Sequence, residues 1–368
     1  MPSIDVVVIG AGQAGLSAGF YLRHHGIDSV ILDRGAAAGG AWAHRWPTLR
    51  MRDVHGLHPL PGSRLPDADP AAPARDVVPA YFARYEQRYA LPVRRPVVVR
   101  AVRRGPHGRL IVEEEQGGDV WAARAVINAT GTWEQPFWPH YPGVRTFHGE
   151  QLHAADYPGP DPFAGRHVTV VGGGTSALSV VGELVDVAAS TTWVTRRPPR
   201  WRTRPFTAQE GRLAVARVAA AARAGQPLPS IVTATGLTTL PAVTQALADG
   251  RLTHRLMFER VTTDALLWPG GEQVYADVII WATGFRPALA HLAPLHLHEP
   301  GGGIRMTGAE LTQVARLPQL HLVGYGPSAS TVGATRAARA AVAEVRELLG
   351  LRGVGSAAPI AAPRQEAV

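Results

Sequence analysis

Residues 4–15 read IDVVVIGAGQAG, an apolar, β-branched run that leads directly into a glycine loop, Gly10–Gly15. The run has the composition of a buried strand, and the apolar spacing after the loop predicts a helix that ends near Gly26. A second apolar run, Ser29 to Leu32, ends at the acidic residue Asp33. Strand, glycine loop, helix and strand in this order predict a βαβ unit that binds a dinucleotide.

The residue types in this unit suit that task. Gly10 permits a tight turn, Gly12 lets a pyrophosphate approach the backbone, and Gly15 lets the helix pack on the strand. Gln13 lies in the same loop, at the positive end of the helix, which attracts the pyrophosphate. Asp33 can accept a hydrogen bond from a ribose hydroxyl. A plain glycine-rich turn is the alternative, but the flanking strands and the acid favour a nucleotide site.

The same pattern occurs a second time. An apolar run, His167–Val171, leads into GGGTSA, with Ala in the third glycine position, and then into an apolar helix and a strand, Thr191–Thr195. The predicted cofactor contacts in this loop are Gly172, Gly174, Thr175, Ser176 and Ala177.

This second unit ends in Arg196 and Arg197 where the first ends in an acid. A guanidinium can bind the 2′-phosphate of NADP(H) through two parallel hydrogen bonds, whereas a carboxylate would repel it. The alternative is a solvated arginine pair in an arginine-rich chain. Two loops with opposite charge selection predict two cofactors, FAD at the first loop and NADPH at the second.

Composition narrows the class of protein. A chain of 368 residues predicts two domains, and 46% hydrophobic with 18% charged residues is ordinary for a globular protein. No apolar run approaches the roughly 18 to 20 residues of a membrane span, and the N-terminus lacks the basic region of a signal peptide. We therefore expect a soluble, cytoplasmic protein without a membrane partner.

Two residue types are missing from the sequence. The absence of Cys excludes disulfide exchange, thiolate nucleophiles and Cys-ligated metals, and the absence of Lys excludes Schiff-base chemistry. The 37 arginines exceed the 29 acids by eight charges. They alternate with acids and alanines without forming a basic block, so we expect no nucleic-acid partner.

Four motifs resemble those of the flavin-containing monooxygenases, class B flavoprotein monooxygenases, in their compact bacterial form. Phe147–Tyr157 fits FxGxxxHxxxY, and Gly39–Trp42 fits GGxW. Residues 129–131 and 282–284 fit the paired ATG segments. The motifs occur in the expected order, and the resemblance extends from residue 4 to about 348.

The resemblance implies an α/β fold with two Rossmann-like dinucleotide-binding domains, in three layers with antiparallel β additions. The FAD-binding domain would comprise residues 1–158 and 285–350. The NADP(H)-binding domain would be inserted at 163–283, and residues 353–368 would form a mobile tail. Further cofactor contacts implied by the resemblance are Gly40, Trp42, Val99, Ala129, Thr130, Gly131, Thr283 and Gly324. The last helix would point its positive N-terminus at the flavin ring.

The resemblance also implies an activity. NADPH would reduce FAD, O₂ would add to give a C4a-(hydro)peroxyflavin, and one oxygen atom would pass to a small sulfide, amine or ketone. Two alternatives stay open: an NADPH:flavin reductase or oxidase that releases peroxide, and a non-catalytic redox sensor that binds NADP(H) or FAD. The expected partners are the small-molecule substrate and O₂, and the sequence leaves a homodimer open.

One position departs from the family pattern. Arg52 falls where many members carry an Asn beside the flavin, so it is the candidate catalytic residue, holding a peroxide anion or an acidic substrate. The alternative is that Arg52 faces solvent or pairs near Asp53. His153 and Tyr157 of the family motif are at least as well explained by packing as by chemistry. His291, His296 and His298 lie in a Pro- and Leu-rich loop, which is a poor cage for a metal ion, so we expect them to be structural or surface residues and predict no metal site.

Overall fold

The computed structural model describes residues 2–54, 56–115, 117, 120–202, 208–229 and 236–351. The tail predicted at 353–368 lies outside this part of the chain. Within it the α-helices are α1 (Gln13–His24), α2 (Ala74–Arg88), α3 (Thr175–Leu184), α4 (Ala208–Arg223), α5 (Pro241–Ala248) and α6 (Thr331–Leu348).

The described strands have between two and nine residues. Their bounds are β1 (Ser3–Ile9), β2 (Ser29–Leu32), β3 (Val93–Arg94), β4 (Val99–Arg104), β5 (Leu110–Glu114), β6 (Val120–Asn128), β7 (Glu150–His153), β8 (His167–Val171), β9 (Ser190–Thr195), β10 (Trp201–Arg202), β11 (Leu237–Thr238), β12 (Leu252–Leu256), β13 (Arg260–Val261), β14 (Ala265–Leu267), β15 (Gln273–Tyr275), β16 (Val278–Trp281), β17 (Met306–Thr307), β18 (Gln313–Val314) and β19 (Leu317–Leu322).

The first sheet has the order β17-β18-β19-β6-β1-β2-β3, and β5 and β4 extend from β6. Strands β2, β1, β6 and β19 pair in parallel, whereas β4, β5 and β6 pair antiparallel. Val6, Val7 and Val8 are completely buried because both faces of β1 are covered. The predicted antiparallel additions are therefore present, and the last of them, β6, continues into the parallel sheet.

The second sheet is wholly parallel, in the order β12-β9-β8-β16-β7. Its edge strand β7 pairs with β16, with Leu152 opposite Ile280. The sequence places 150–153 in the flavin domain, yet the strand hydrogen-bonds in the other sheet. The chain therefore enters the second sheet at Glu150, within the segment that the sequence assigns to the flavin domain. The division into two domains itself stays a prediction.

Other elements differ from the predictions by a few residues. The sequence predicts one helix from Asp76 to about Tyr89 and another from Arg336 to Leu349, whereas α2 begins at Ala74 and α6 begins at Thr331. The earlier start of α6 follows from Ser330, whose hydroxyl accepts a hydrogen bond from the Gly333 N–H at 3.0 Å and caps the helix. No described helix is long and apolar enough to cross a membrane.

Candidate flavin and nicotinamide site

The first glycine loop opens into a cavity of about 830 Å³, which we term the first-loop cavity. Most of the predicted flavin contacts line it: Gly10, Gly12, Gln13, Asp33, Gly40, Trp42, Val99, Ala129, Thr130, Gly131 and Gly324. The N-terminus of α6 also reaches it, through Ser330, Thr331 and Ala334. Residues from distant parts of the chain thus converge as the resemblance implies.

The backbone of this loop leaves room for a phosphate. Gly10 has φ +99°, and a Cβ there would lie 2.7 Å from the carbonyl oxygen of Ala129. A Cβ on Gly12 would meet nothing within 4 Å, although Gly12 is the N-cap of α1. The helix N-terminus therefore faces open space, as a pyrophosphate requires. Gly15 does not line the cavity; a Cβ there would lie 1.8 Å from the Gly10 carbonyl oxygen, so its role is helix packing.

Asp33 is held in place at the end of β2. Its Oδ1 accepts a hydrogen bond from the Ala11 N–H at 3.2 Å, and its Oδ2 accepts one from Arg95 Nε at 3.1 Å. Arg95 is in turn clamped by both oxygens of Glu86, at 2.6 and 2.8 Å. Each carboxylate oxygen of Asp33 keeps a further lone pair for a ribose hydroxyl. Arg95 and Glu86 carry no motif, so the sequence analysis missed them.

The second glycine loop opens into a cavity of about 950 Å³, the second-loop cavity. The predicted contacts that line it are Gly172, Gly174, Thr175, Ser176, Arg196, Arg197 and Thr283. A Cβ on Gly172 would lie 2.2 Å from the carbonyl oxygen of Ala282, which repeats the Gly10–Ala129 contact of the first loop. Ala177 does not line the cavity and is completely buried. It takes the packing role of the third glycine.

Arg196 and Arg197 are exposed at the mouth of the second-loop cavity. Their turn is anchored by Thr195, whose hydroxyl donates to the Arg197 carbonyl oxygen at 2.7 Å. Because that proton is used, the hydroxyl accepts from His254 Nε2 at 2.8 Å. Burial lowers the pKa of His254, which keeps it neutral. His254 was missed because it reaches the loop from the edge strand β12.

The two cavities meet at a seam formed by Arg45, Trp133 and Phe285, the residues that line both of them. The rings of Trp133 and Phe285 stack with centroids 5.0 Å apart. The Arg45 guanidinium lies 5.3 Å from the ring centre of Trp133 and equally far from that of Trp42. None of the three seam residues belongs to a quoted motif, so sequence reasoning missed them.

His153 is buried beside the seam and is engaged at both ring nitrogens. Its Nδ1 accepts from the Ala155 N–H at 3.0 Å, so Nε2 carries the proton and donates to the Gly284 carbonyl oxygen at 3.1 Å. Burial lowers the pKa of His153. Tyr157 is also buried and stacks on Phe163 at 5.8 Å. These contacts support the packing interpretation of the family motif.

Arg52 requires a correction, because the structure does not bring it to the site. It lies in the 3₁₀ turn Met51–Asp53, its side chain is 62% exposed, and its nearest described acid is Asp53 at 3.9 Å. It lines neither cavity. Arg52 thus faces solvent near Asp53, as the alternative interpretation has it. The arginine between β2 and α2 that lines both cavities is Arg45.

His291, which the sequence predicts to be a structural or surface residue, lines the first-loop cavity. Its Nε2 donates to Asn128 Oδ1 at 2.7 Å, and the Asn128 amide donates to Thr130 Oγ1 at 3.1 Å. Burial lowers the pKa of His291 to about 4, so the ring is neutral near pH 7. Within the described ranges, no cluster of three or more His, Asp or Glu could hold a metal ion.

The comparisons with known proteins agree with this geometry. Residues 7–210 match the family model of pyridine nucleotide-disulphide oxidoreductases. A flavin-containing monooxygenase from Stenotrophomonas maltophilia is similar in structure, with a TM-score of 0.80 and 39% identity over 95% of this chain and 100% of that one.

Two curated relatives match over shorter segments. The oxidoreductase CzcO of Bacillus velezensis is 29% identical over 49% of this chain and 51% of its own. An indole-3-pyruvate monooxygenase of Oryza sativa subsp. japonica is 32% identical over 52% of this chain and 47% of its own. The matches thus span about half the length of these relatives.

The family model and the Stenotrophomonas structure together confirm the predicted α/β fold, the oxidoreductase class, and FAD and NAD(P)H as the cofactor pair. The loops, helix N-termini and open glycine surfaces described above fit both dinucleotides. The chain belongs to the pyridine nucleotide-disulphide oxidoreductase family and, within it, to the flavin-containing monooxygenases.

Proposed function

We propose that this protein is an NADPH-dependent flavin monooxygenase that transfers one atom of O₂ to a small organic substrate. The observation that carries the proposal is the seam, where Arg45, Trp133 and Phe285 join two cavities that each contain a dinucleotide loop. A nicotinamide entering from one side and a flavin entering from the other would share this space.

The residues of the chain would hold both cofactors and shield them. The N-termini of α1 and α3 would bind the pyrophosphates, Asp33 the flavin-side ribose, and Arg196 with Arg197 the 2′-phosphate. When bound, NADPH would supply a hydride, and FAD would accept it and react with O₂. The positive N-terminus of α6 would stabilise negative charge on the reduced flavin, and the seam aromatics would exclude water.

The composition supports oxygen transfer over thiol chemistry. The chain has no Cys, so the dithiol of disulphide reductases is not available. His153 is engaged at both nitrogens and offers no free general base. Chemistry at the seam therefore depends on the cofactors, while the protein binds, orients and excludes water. Sulfides, amines and ketones are the proposed substrate classes, by resemblance to the family.

Two measurements test this proposal. NADPH should bleach the flavin without oxygen present, and ¹⁸O₂ should then label the sulfoxide formed from thioanisole or the product of a matched amine or ketone. Complete recovery of the reducing equivalents as H₂O₂ with every substrate would instead indicate a reductase or oxidase. Failure of NADPH to bleach the flavin would indicate a non-catalytic sensor.

A further inference from the structure

Arg45 is a partly buried cation that has no anionic partner among the described residues. No carboxylate of the described residues lies within 4 Å of its guanidinium, and its Nε is buried without a hydrogen-bond partner. Burial lowers its pKa, which shows that the charge is held at a cost. Two neighbouring arginines differ in this respect, because Arg34 is paired with Glu134 and Arg95 is paired with Glu86.

Two tryptophan rings lie beside the Arg45 guanidinium, which lines both cavities. The rings of Trp42 and Trp133 each lie 5.3 Å from the guanidinium carbon. A cation–π contact stabilises a guanidinium without using its N–H donors, and two parallel N–H donors of a guanidinium can bind a planar carboxylate. Because Arg45 lines both cavities, a ligand bound there would lie at the seam.

The phosphates of the two dinucleotides have binding groups elsewhere. Each pyrophosphate would face the N-terminus of α1 or α3, and the 2′-phosphate would face Arg196 and Arg197. Arg45 is therefore available to bind a third anion. The walls beside it are aromatic, with Trp133 stacked on Phe285, and favour a flat apolar body.

We infer that Arg45 binds the carboxylate of a small aromatic acid at the seam and thereby selects anionic substrates. This inference rests on the proposed function, because it assigns the seam to the substrate. Arg45 would act as a specificity residue that touches the substrate, while the oxygen-transfer chemistry remains with the cofactors.

The test measures binding without turnover. The FAD-loaded protein is titrated with phenylacetate and with phenylacetamide, its neutral counterpart of similar shape, and both flavin absorbance and Trp fluorescence are followed. We expect phenylacetate to bind at least tenfold more tightly. Arg45→Gln should bring the ratio close to one, whereas Arg45→Lys, which keeps the charge but loses the paired donors, should retain part of it. Arg52→Gln, the same charge change on the same loop, should leave the ratio unchanged.

Three outcomes would overturn the inference. One is equal binding of acid and amide by the unmodified protein. Another is an unchanged ratio in Arg45→Gln. The third is a tenfold weaker affinity for NADPH, or a lower FAD content, in Arg45→Gln with the ratio intact, since the anion would then be a dinucleotide phosphate. If Arg45→Gln does not fold, the ratio of acid to amide binding is measured in Arg45→Lys instead, and an unchanged ratio there would overturn the inference. A preference for the acid without any oxygenated product would contradict the proposed function but leave this inference standing.

Discussion

His153 Nε2 donates a hydrogen bond to the carbonyl oxygen of Gly284 at 3.1 Å, which ties the family motif to the second ATG segment. His153 ends β7, and Gly284 follows β16, the strand that pairs with β7. The bond therefore fixes the point at which the chain leaves the second sheet beside the seam. This gives the motif a structural explanation, although His153 lines the second-loop cavity.

His153→Ala should therefore lower stability more than it alters chemistry. The change removes a buried ring and leaves the Ala155 N–H without its acceptor, a combined loss of about 2–4 kcal/mol. A drop in melting temperature of about 5 °C or more is expected by calorimetry. His148→Ala, an exposed histidine in the same motif, is the control and should leave the melting temperature unchanged. An unchanged melting temperature in His153→Ala with abolished turnover would contradict this view.

Stability should fall as the pH decreases below about 6.5. Burial lowers the pKa of His153 and His254, and lowers that of His291 and of His321 to about 4. Between these lowered pKa values and about pH 6.5, the unfolded chain binds more protons than the folded one. The stability that the neutral histidines contribute is therefore fully present above about pH 6.5 and is lost as the pH falls.

Denaturant unfolding at pH 5 and pH 7 checks this prediction. We expect the lower free energy of unfolding at pH 5. His321 is completely buried on β19, away from both cavities, and His321→Gln should reduce the difference. Equal stability at the two pH values, or greater stability at pH 5, would show that these histidines are charged in the folded protein.

Gly12→Val should reduce the flavin content of the purified protein sharply. A Cβ at Gly12 would meet no protein atom within 4 Å, and the φ of −80° suits any residue, so folding should be little affected. The added methyl groups would instead occupy the space facing the α1 N-terminus. The ratio of flavin to protein absorbance measures the loss. Gly182→Ala, inside α3, is the control and should keep its FAD. Full occupancy in Gly12→Val would show that the pyrophosphate lies elsewhere.

NADPH should be preferred over NADH by at least tenfold in kcat/KM for flavin reduction. Charge-assisted hydrogen bonds from Arg196 and Arg197 to the 2′-phosphate are worth roughly 1.5–3 kcal/mol each, before solvent weakens them at this exposed position. Replacing both with Gln should raise KM for NADPH far more than for NADH. The preference should also shrink as salt rises.

A matched control uses Arg145 and Arg260, which are exposed and line neither cavity. Their double replacement by Gln changes the net charge equally and should leave the preference intact. Equal efficiency of the unmodified enzyme with both nucleotides would return Arg196 and Arg197 to the role of solvated surface residues.

Local patterns predicted most of the framework and the cofactor loops. The strand–loop–helix order around Gly10–Gly15 and Gly172–Ala177 depends on neighbours in the sequence, so spacing and residue type are enough to identify it. The third loop positions line neither cavity: Gly15, predicted to pack helix on strand, lies against the Gly10 carbonyl, and Ala177, predicted as a contact, is completely buried. The helix starts differ from the predicted ones by a few residues, and at α6 the capping residue Ser330 sets the observed start.

The sequence by itself determined the two glycine loops and the family, since each follows from short-range order, whereas the charge selection at Arg196 and Arg197 stays a prediction. Only the tertiary structure decided that β7 joins the second sheet, that Arg45 rather than Arg52 faces the cleft, and that Trp133 and Phe285 complete the seam. These outcomes depend on contacts between residues far apart in the chain and on the path of an irregular loop. Such contacts leave no periodic pattern, because packing and hydrogen bonding across the fold set the direction of each side chain.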